Sequence, residues 1–140
     1  MKQWPQYFFY YWFPVILYGF LIFILSSGPV PGGGPGFFQA DKLAHFVIFA
    51  VLGALCLRTL NTTALGNSLT AVLVLSILLS SFYGISDEIH QYFVPCRDSD
   101  ILDALADTCG SIVGVLTYWR IFIFRRRIEE KSPGGRDRQG

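Results

Sequence analysis

The sequence predicts an all-α integral membrane protein, a bundle of four transmembrane helices. Only 15% of the 140 residues are charged, against about 25% in ordinary soluble domains. Three tracts, 3–40, 43–57 and 59–86, contain no Asp, Glu, Lys or Arg. Such tracts leave too little polar side chain to cover a water-soluble fold, so most of the surface must face lipid.

The first predicted span is 7–27, about the length needed to cross the hydrocarbon core. Tyr7, Tyr10, Tyr11 and Trp12 would form an aromatic belt at its start. A cleaved signal peptide is the alternative, but the apolar run exceeds the roughly 7–15 residues of a typical signal core. We therefore expect a retained helix.

Residues 28–40 predict a loop, because five glycines and three prolines fall within 28–36. Neither a preceding strand nor a GK[ST] element accompanies them, which argues against a phosphate-binding loop. The second span, 42–60, follows. Asp41 suits the cap or first turn of this helix, and His45 lies one turn inside an otherwise apolar segment.

The third span, 69–93, follows a short polar turn at 61–68 and carries ionisable groups only at its end. Helical spacing places Tyr83, Asp87, His90 and Gln91 on one side. Glu88 points roughly 100° away from Asp87, toward either a neighbouring helix or solvent. Pro95 is expected to end the helix.

The fourth span, 101–124, begins beside two candidate caps, Ser99 and Asp100. Asp100, Asp103 and Asp107 descend one face. Gly110 and Gly114 continue that stripe as G-x-x-x-G, a spacing that permits close approach of another helix. Residues 1–124 thus form one transmembrane domain, and 125–140 a basic, disordered cytoplasmic tail.

Charge distribution predicts the orientation. Four spans put both termini on one side, and that side holds nine basic residues: Lys2, Arg58 and seven after position 119. The other side holds only Lys42 and Arg97. The positive-inside rule therefore predicts N-in, C-in topology. The basic tail is an orientation signal rather than a nucleic-acid-binding segment.

This topology brings polar residues from three segments to one depth at the outer face. The start of the second span, the end of the third and the start of the fourth all lie there. The layer comprises Asp41, Lys42, His45, Tyr83, Asp87, Glu88, His90, Gln91, Arg97, Asp98, Asp100, Asp103 and Asp107. Ionisable groups at membrane depth usually face a partner or a water-filled cavity, so this layer is the candidate site.

The same residues resemble a known family. Asp41-Lys42-x-x-His45, then Tyr83-x-x-x-Asp87-Glu88-x-His90-Gln91-x-Phe93-x-Pro95-x-Arg97, then Asp103-x-x-x-Asp107-x-x-Gly110 is similar to the VanZ-like family of small bacterial membrane proteins. The resemblance covers about residues 40–115 and departs at Cys96, where a small residue such as glycine is expected, and at Asp107, where asparagine is common. It implies a multi-helix, multi-pass envelope protein of the bacterial inner (cytoplasmic) membrane, and through the family's namesake an association with teicoplanin resistance.

Three functions are compatible with the layer. The first is recognition of a cell-envelope component, such as a glycolipid, a peptidoglycan precursor or a partner protein. The second is hydrolysis or transfer on a lipid-linked envelope substrate. The third is purely structural, with charges that pair and cap helix ends. Candidate catalytic residues are His45, Asp87, His90, Asp103 and Asp107. Candidate substrate-binding residues are Lys42, Tyr83, Glu88, Gln91 and Arg97.

No cofactor is identified from the sequence. The histidines and carboxylates could bind a divalent metal, although no HExxH motif or other metal signature is present. Cys56, Cys96 and Cys109 match no metal spacing. A Cys96–Cys109 disulfide would require the last loop to face an oxidising compartment.

Overall fold

The structure is a computed structural model and describes residues 4–28, 37–95, 97 and 99–123. Most of the predicted glycine-rich loop, together with Cys96, Asp98 and the basic tail, lies outside these residues. Within them the chain is helical and contains no β-strand. The four long helices are α1 (Phe13–Ser26), α2 (Phe37–Leu60), α3 (Leu69–Tyr92) and α4 (Ile101–Tyr118).

Shorter helical pieces extend or join these helices. The α-helical turn Trp4–Tyr7 and the π-helical stretch Phe8–Trp12 lead directly into α1, and π-helical Trp119–Ile123 continues α4. A 3-10 turn, Ala64–Asn67, joins α2 to α3. Each of the four long segments is long and apolar enough to cross a membrane. The predicted fold class is therefore confirmed.

The helix α2 begins earlier than predicted, at Phe37 rather than at residue 42. The dense glycines and prolines stop at Gly36, and Phe37-Phe38-Gln39-Ala40 contains no helix breaker. Asp41 therefore lies inside the helix and is not its N-terminal cap.

At the start of α4, Asp100 rather than Ser99 is the cap, because the Asp100 side chain accepts from the Leu102 N–H at 2.9 Å.

The helices α2 and α4 run parallel and pack with their backbones in contact. A Cβ atom on Gly110 would lie 2.1 Å from the carbonyl oxygen of Phe46, and one on Gly114 would lie 1.8 Å from that of Ala50. Gly53 makes the reciprocal contact with the backbone of Ser111. The close approach predicted from G-x-x-x-G is therefore present, and only glycine fits these positions.

Helix α1 is attached to the bundle by hydrogen bonds and by a buried apolar contact at Ile22. The Tyr18 hydroxyl donates to the Ile48 carbonyl at 3.1 Å, and the Tyr83 hydroxyl donates to the Gly19 carbonyl at 2.6 Å. At the start of α1, Pro14 lacks the N–H that would bond the Tyr10 carbonyl, and Arg58 donates to that oxygen instead. Few α1 side chains are buried, so most of its apolar surface faces outward.

We expect alanine at Gly114 or Gly110 to destabilise the bundle by about 1–3 kcal/mol, because the added methyl group meets backbone that can move only if α2 and α4 separate. Denaturation by SDS, followed by circular dichroism, measures this loss. Gly19→Ala is the control, since its Cβ would make ordinary contact with the Tyr83 ring at 3.7 Å. Equal stability of Gly114→Ala and Gly19→Ala would contradict the close α2–α4 contact.

Candidate functional site

The last turns of α3 present carboxylates on two different faces. Asp87 faces α1, whereas Glu88 faces α2 and α4, and both are buried. The sequence left the direction of Glu88 open between a helix and solvent. The structure places it against His45 of α2.

A buried cluster joins α2, α3 and α4 around His45. The Nδ1 atom of His45 lies 3.0 Å from Oδ1 of Asp107 and 3.8 Å from Oε1 of Glu88. Asp107 has no exposed surface, and its carboxylate packs against Gly84, where a Cβ would lie 2.7 Å from Oδ2. Gly84 therefore makes room for this carboxylate. The cluster combines one imidazole with two carboxylates in a low-dielectric setting.

Lys42 connects the N-terminal part of α2 to the start of α4. Its ammonium donates to Oδ2 of Asp100 at 2.6 Å and to Oδ1 of Asp103 at 2.9 Å. The hydrogen bond from Lys42 lowers the pKa of Asp100, and the Leu102 N–H acts in the same direction. The Asp100 N–H in turn donates to Oε2 of Glu88 at 3.0 Å. The start of α4 is thus fixed to both neighbouring helices.

A second chain of hydrogen bonds runs from α1 through α3 to Arg97. The Ser26 hydroxyl donates to Oδ1 of Asp87 at 2.5 Å, and Nε2 of Gln91 donates to Oδ2 at 2.8 Å. Arg97 donates from Nη1 to Oε1 of Gln91 at 3.2 Å. Its Nε and Nη2 donate to the carbonyls of Gly28 and Leu25. Arg97 therefore caps the end of α1, where carbonyls lack helical partners.

His90 and Tyr83 both point toward α1, at different depths. The His90 ring stacks on Phe23 with centroids 4.7 Å apart, and its Nε2 lies 3.1 Å from Oγ of Ser27. Tyr83 lies about two helical turns from His90 along α3, and its hydroxyl donates to the Gly19 carbonyl. Tyr83 therefore holds α1 rather than joining the carboxylates.

A small cavity lies between these two sets of polar groups. Its polar lining comes from Ser26, His45, Asp87, Gln91 and Arg97, and its apolar lining from Ile22, Leu25, Ile48 and Phe49. Its volume of about 40 Å³ is enough for one or two water molecules. A larger ligand can reach it only with a single group or after α1 moves.

The structure thus draws the predicted residues into two groups. His45, Glu88 and Asp107, with Lys42, Asp100 and Asp103 beside them, lie between α2, α3 and α4. Asp87, Gln91 and Arg97, with His90 beside them, face α1. Sequence reasoning missed Ser26 and Ser27. The available signal was a pair of hydroxyls at the end of the first span, at the depth of the polar layer.

Among the residues that the structure describes, two sets of side chains could hold a metal ion. One is His45, Glu88 and Asp107, all buried, and the other is Asp41, His45 and Asp103. Within each set, one ligand atom per residue lies within 4.8 Å of the others. Both sets share His45.

Four membrane-crossing helices with ionisable groups buried at one end define a multi-pass α-helical membrane protein. The model of the VanZ/LLP1 family matches residues 2–125, and the chain belongs to that family. This match confirms the resemblance found in the motifs. Comparison with curated proteins and with solved structures returned no match.

Asp100→Asn should separate charge from capping at the start of α4, because asparagine keeps a capping oxygen but loses the charge that pairs with Lys42. The depressed pKa of Asp100 means that its ionic stabilisation is present above its unfolded pKa and lost as the pH falls through the folded value. Wild type should therefore have a higher melting temperature than Asp100→Asn at neutral pH, and this difference should shrink in acid.

Melting temperatures of both proteins, measured from neutral pH to below about pH 4, check this expectation. Asp100→Ala serves as the comparison, since it removes the cap as well as the charge. A difference between wild type and Asp100→Asn that stays constant with pH would contradict the ion pair.

Proposed function

We propose that this protein recognises the anionic headgroup of a lipid-linked envelope component at the outer face of the bacterial cytoplasmic membrane. The ligand would be a glycolipid or a peptidoglycan precursor, bound by a chain with N-in, C-in topology. One observation carries the proposal. Arg97 is held in place entirely by neutral acceptors and pairs with no carboxylate among the described residues.

The hydrogen bonding of Arg97 leaves its charge available. A guanidinium has five N–H donors, and Arg97 uses one on each of its three nitrogens, for Gly28, Leu25 and Gln91. One N–H on each terminal nitrogen therefore has no partner among the described residues. Two such donors match the oxygens of a phosphate or carboxylate. The chain Ser26–Asp87–Gln91 fixes the orientation of this guanidinium in advance.

An apolar groove supports a ligand that carries a lipid tail. The groove, of about 520 Å³, runs between α1, α2 and α3 and is lined by Val15, Phe20, Leu52 and Leu79 among others. Phe23 also lines it and stacks on His90, whose sequence neighbour Gln91 accepts a hydrogen bond from Arg97. A polyprenyl or acyl chain in the groove would therefore bring its headgroup to His90 and Arg97.

A role in glycopeptide tolerance would follow from this recognition. A protein that binds the peptidoglycan precursor at the outer face occupies the same molecule that glycopeptide antibiotics target. It would thereby alter their access. This part of the proposal relies on the family resemblance together with the predicted orientation.

Arg97→Gln should weaken binding of a polyprenyl pyrophosphate-linked disaccharide-pentapeptide. Loss of hydrogen bonds to a charged group costs about 1.5–3 kcal/mol, or roughly 10- to 100-fold in affinity. Purified protein in nanodiscs, titrated with this probe and with the uncharged polyprenol, gives the two affinities. Wild type should bind the pyrophosphate form much more tightly than the polyprenol.

Arg58→Gln is the matched control, because Arg58 also donates to an α1 carbonyl but at the opposite end of the bundle. Arg97→Lys keeps the charge without the paired donors, and should fall between wild type and Arg97→Gln. Equal binding by wild type and Arg97→Gln would contradict the proposal, as would equal affinity of wild type for the charged and uncharged probes.

Hydrolysis or transfer on a lipid-linked substrate is the second candidate function. The observation that favours it is the His45–Asp107 hydrogen bond, with His45 on the cavity wall. A carboxylate that orients an imidazole is the arrangement of a general base. In this function His45 would take a proton from water or a substrate hydroxyl, and Asp107 would stabilise the resulting imidazolium.

Mass spectrometry of the same lipid-linked probe after incubation with the protein distinguishes catalysis from binding. If the protein is an enzyme, His45→Gln should lower the turnover rate by about 10²–10⁴-fold. Asp87→Asn, which alters a carboxylate on the other face of α3, should lower it less. Binding of the probe without any chemical change would reject catalysis. Unchanged binding and activity in all these variants, with lowered stability, would identify a purely structural polar layer.

A further inference from the structure

We propose that His45, Glu88 and Asp107 form a binding site for one divalent first-row transition-metal ion. Each residue comes from a different helix, α2, α3 and α4 respectively. The carboxylates of this site lie on a different face of α3 from the Asp87–Gln91–Arg97 chain, and the inference uses no contact of Arg97.

Two buried carboxylate oxygens carry this inference. Oε1 of Glu88 and Oδ2 of Asp107 are inaccessible and have no hydrogen-bond partner among the described residues. Their residues are 6% and 0% exposed. A buried carboxylate oxygen without a donor costs free energy, and a bound cation supplies the missing partner. Both oxygens belong to the cluster whose third member is His45.

The spacing of the three residues suits a small metal ion. Ligands at about 2.1 Å from a tetrahedral ion lie roughly 3.4 Å apart. The Nδ1 atom of His45 is 3.0 Å from Oδ1 of Asp107 and 3.8 Å from Oε1 of Glu88, values that bracket this separation. One ligand atom from each of the three residues lies within 4.8 Å of the others, so side-chain movements alone would place them around one ion.

The charge of the cluster also favours a dication. Even with His45 protonated, two carboxylates and one imidazolium leave a net negative charge in a buried setting. A divalent ion with neutral His45 balances the two carboxylates. Lys42 lies nearby and forms ion pairs with Asp100 and Asp103, which bring two further negative charges to the same end of the bundle.

The alternative set around His45 is less suited to a metal. Asp103 in that set already accepts from Lys42 at 2.9 Å, and Asp41 is only partly buried. Binding there would require Lys42 to release Asp103. The set with unpartnered oxygens is therefore the one we assign.

The ligand types indicate which ions to test. One imidazole and two carboxylates suit Zn²⁺, which binds imidazole well, and Mn²⁺, which binds carboxylates well, whereas Mg²⁺ and Ca²⁺ prefer oxygen ligands alone. Three protein ligands leave at least one coordination position for water or for a ligand.

Metal binding is measured on full-length protein in nanodiscs, freed of its purification tag and treated with chelator. After incubation with Zn²⁺ or Mn²⁺ and desalting, inductively coupled plasma mass spectrometry should find one ion per chain. Loss of an outer-shell partner typically costs about 10–100-fold in metal affinity. Removal of a direct ligand in Glu88→Gln or Asp107→Asn should therefore cost about 100-fold or more.

Asp87→Asn is the matched control, because Asp87 is equally buried on α3 but has both oxygens hydrogen-bonded. It should retain full affinity. Asp103→Asn distinguishes the two sets that share His45, and it too should keep the site. Melting temperatures of the metal-free variants show whether each still folds.

X-ray absorption of the wild-type zinc form gives a test that needs no variant. It should show nitrogen and oxygen ligands at about 2.0–2.1 Å, including one imidazole, and no sulfur at about 2.3 Å. Failure of wild type to bind either ion would overturn the proposal. Sulfur ligands in the spectrum would also overturn it. The same holds if the double variant Glu88→Gln with Asp107→Asn still binds the ion, or if Asp103→Asn loses binding while Glu88→Gln keeps it. None of these outcomes depends on the lipid-linked probe.

Discussion

The backbone contact between α2 and α4 determines the arrangement of the polar groups. Gly110 and Gly114 lie against the carbonyls of Phe46 and Ala50, so the two parallel helices cannot slide without a steric clash. On the same face of α4, toward its start, stand Asp103 and Asp107. The register set by the glycines therefore brings these carboxylates opposite Lys42 and His45. In lipid, where apolar side chains give little drive for helix association, such close contact is a main source of specificity.

Helix α1 is held to this pair and α3 in a different way. Its lipid-facing apolar side chains gain little from association, and its attachment relies on directed hydrogen bonds at three depths. Arg58 and Thr59 bond carbonyls near its start, Tyr18 and Tyr83 act in the middle, and Ser26 reaches Asp87 near its end. Hydrogen bonds of this kind contribute about 0.6 kcal/mol each on average in membrane proteins. Helix α1 forms one wall of the cavity and of the apolar groove.

The four spans and their common polar end could be predicted because they depend only on hydropathy and on the order of the spans, which are read directly from the sequence. Hydropathy locates the spans, and alternation of direction brings His45, Asp87 and Asp107 to one end. The partner of each side chain could not be predicted in this way. Helical spacing separates Asp87 from Glu88 by roughly 100° but does not say which neighbour lies on which side. The roles of Tyr83 and Ser26 depend on where α1 packs, and few buried apolar residues of α1 encode that position.

Asp87 and Glu88 are adjacent in sequence but lie on different polar faces of α3, so they have different hydrogen-bond partners. Both carboxylate oxygens of Asp87 accept hydrogen bonds from uncharged donors, Ser26 and Gln91. The Gln91 side chain also accepts from Arg97, so it bridges Asp87 and Arg97. Asp87 can orient the guanidinium without neutralising it by direct contact, which keeps Arg97 available to an external anion. Glu88 instead keeps one oxygen without a donor, beside a carboxylate in the same condition. In the two proposals, one face of α3 serves an anion and a neighbouring face serves a cation, with His45 between them because it lines the cavity and contacts Asp107. A phosphate-bearing headgroup that reached the cavity would meet Arg97 directly, and His45 would separate it from a metal ion at Glu88 and Asp107.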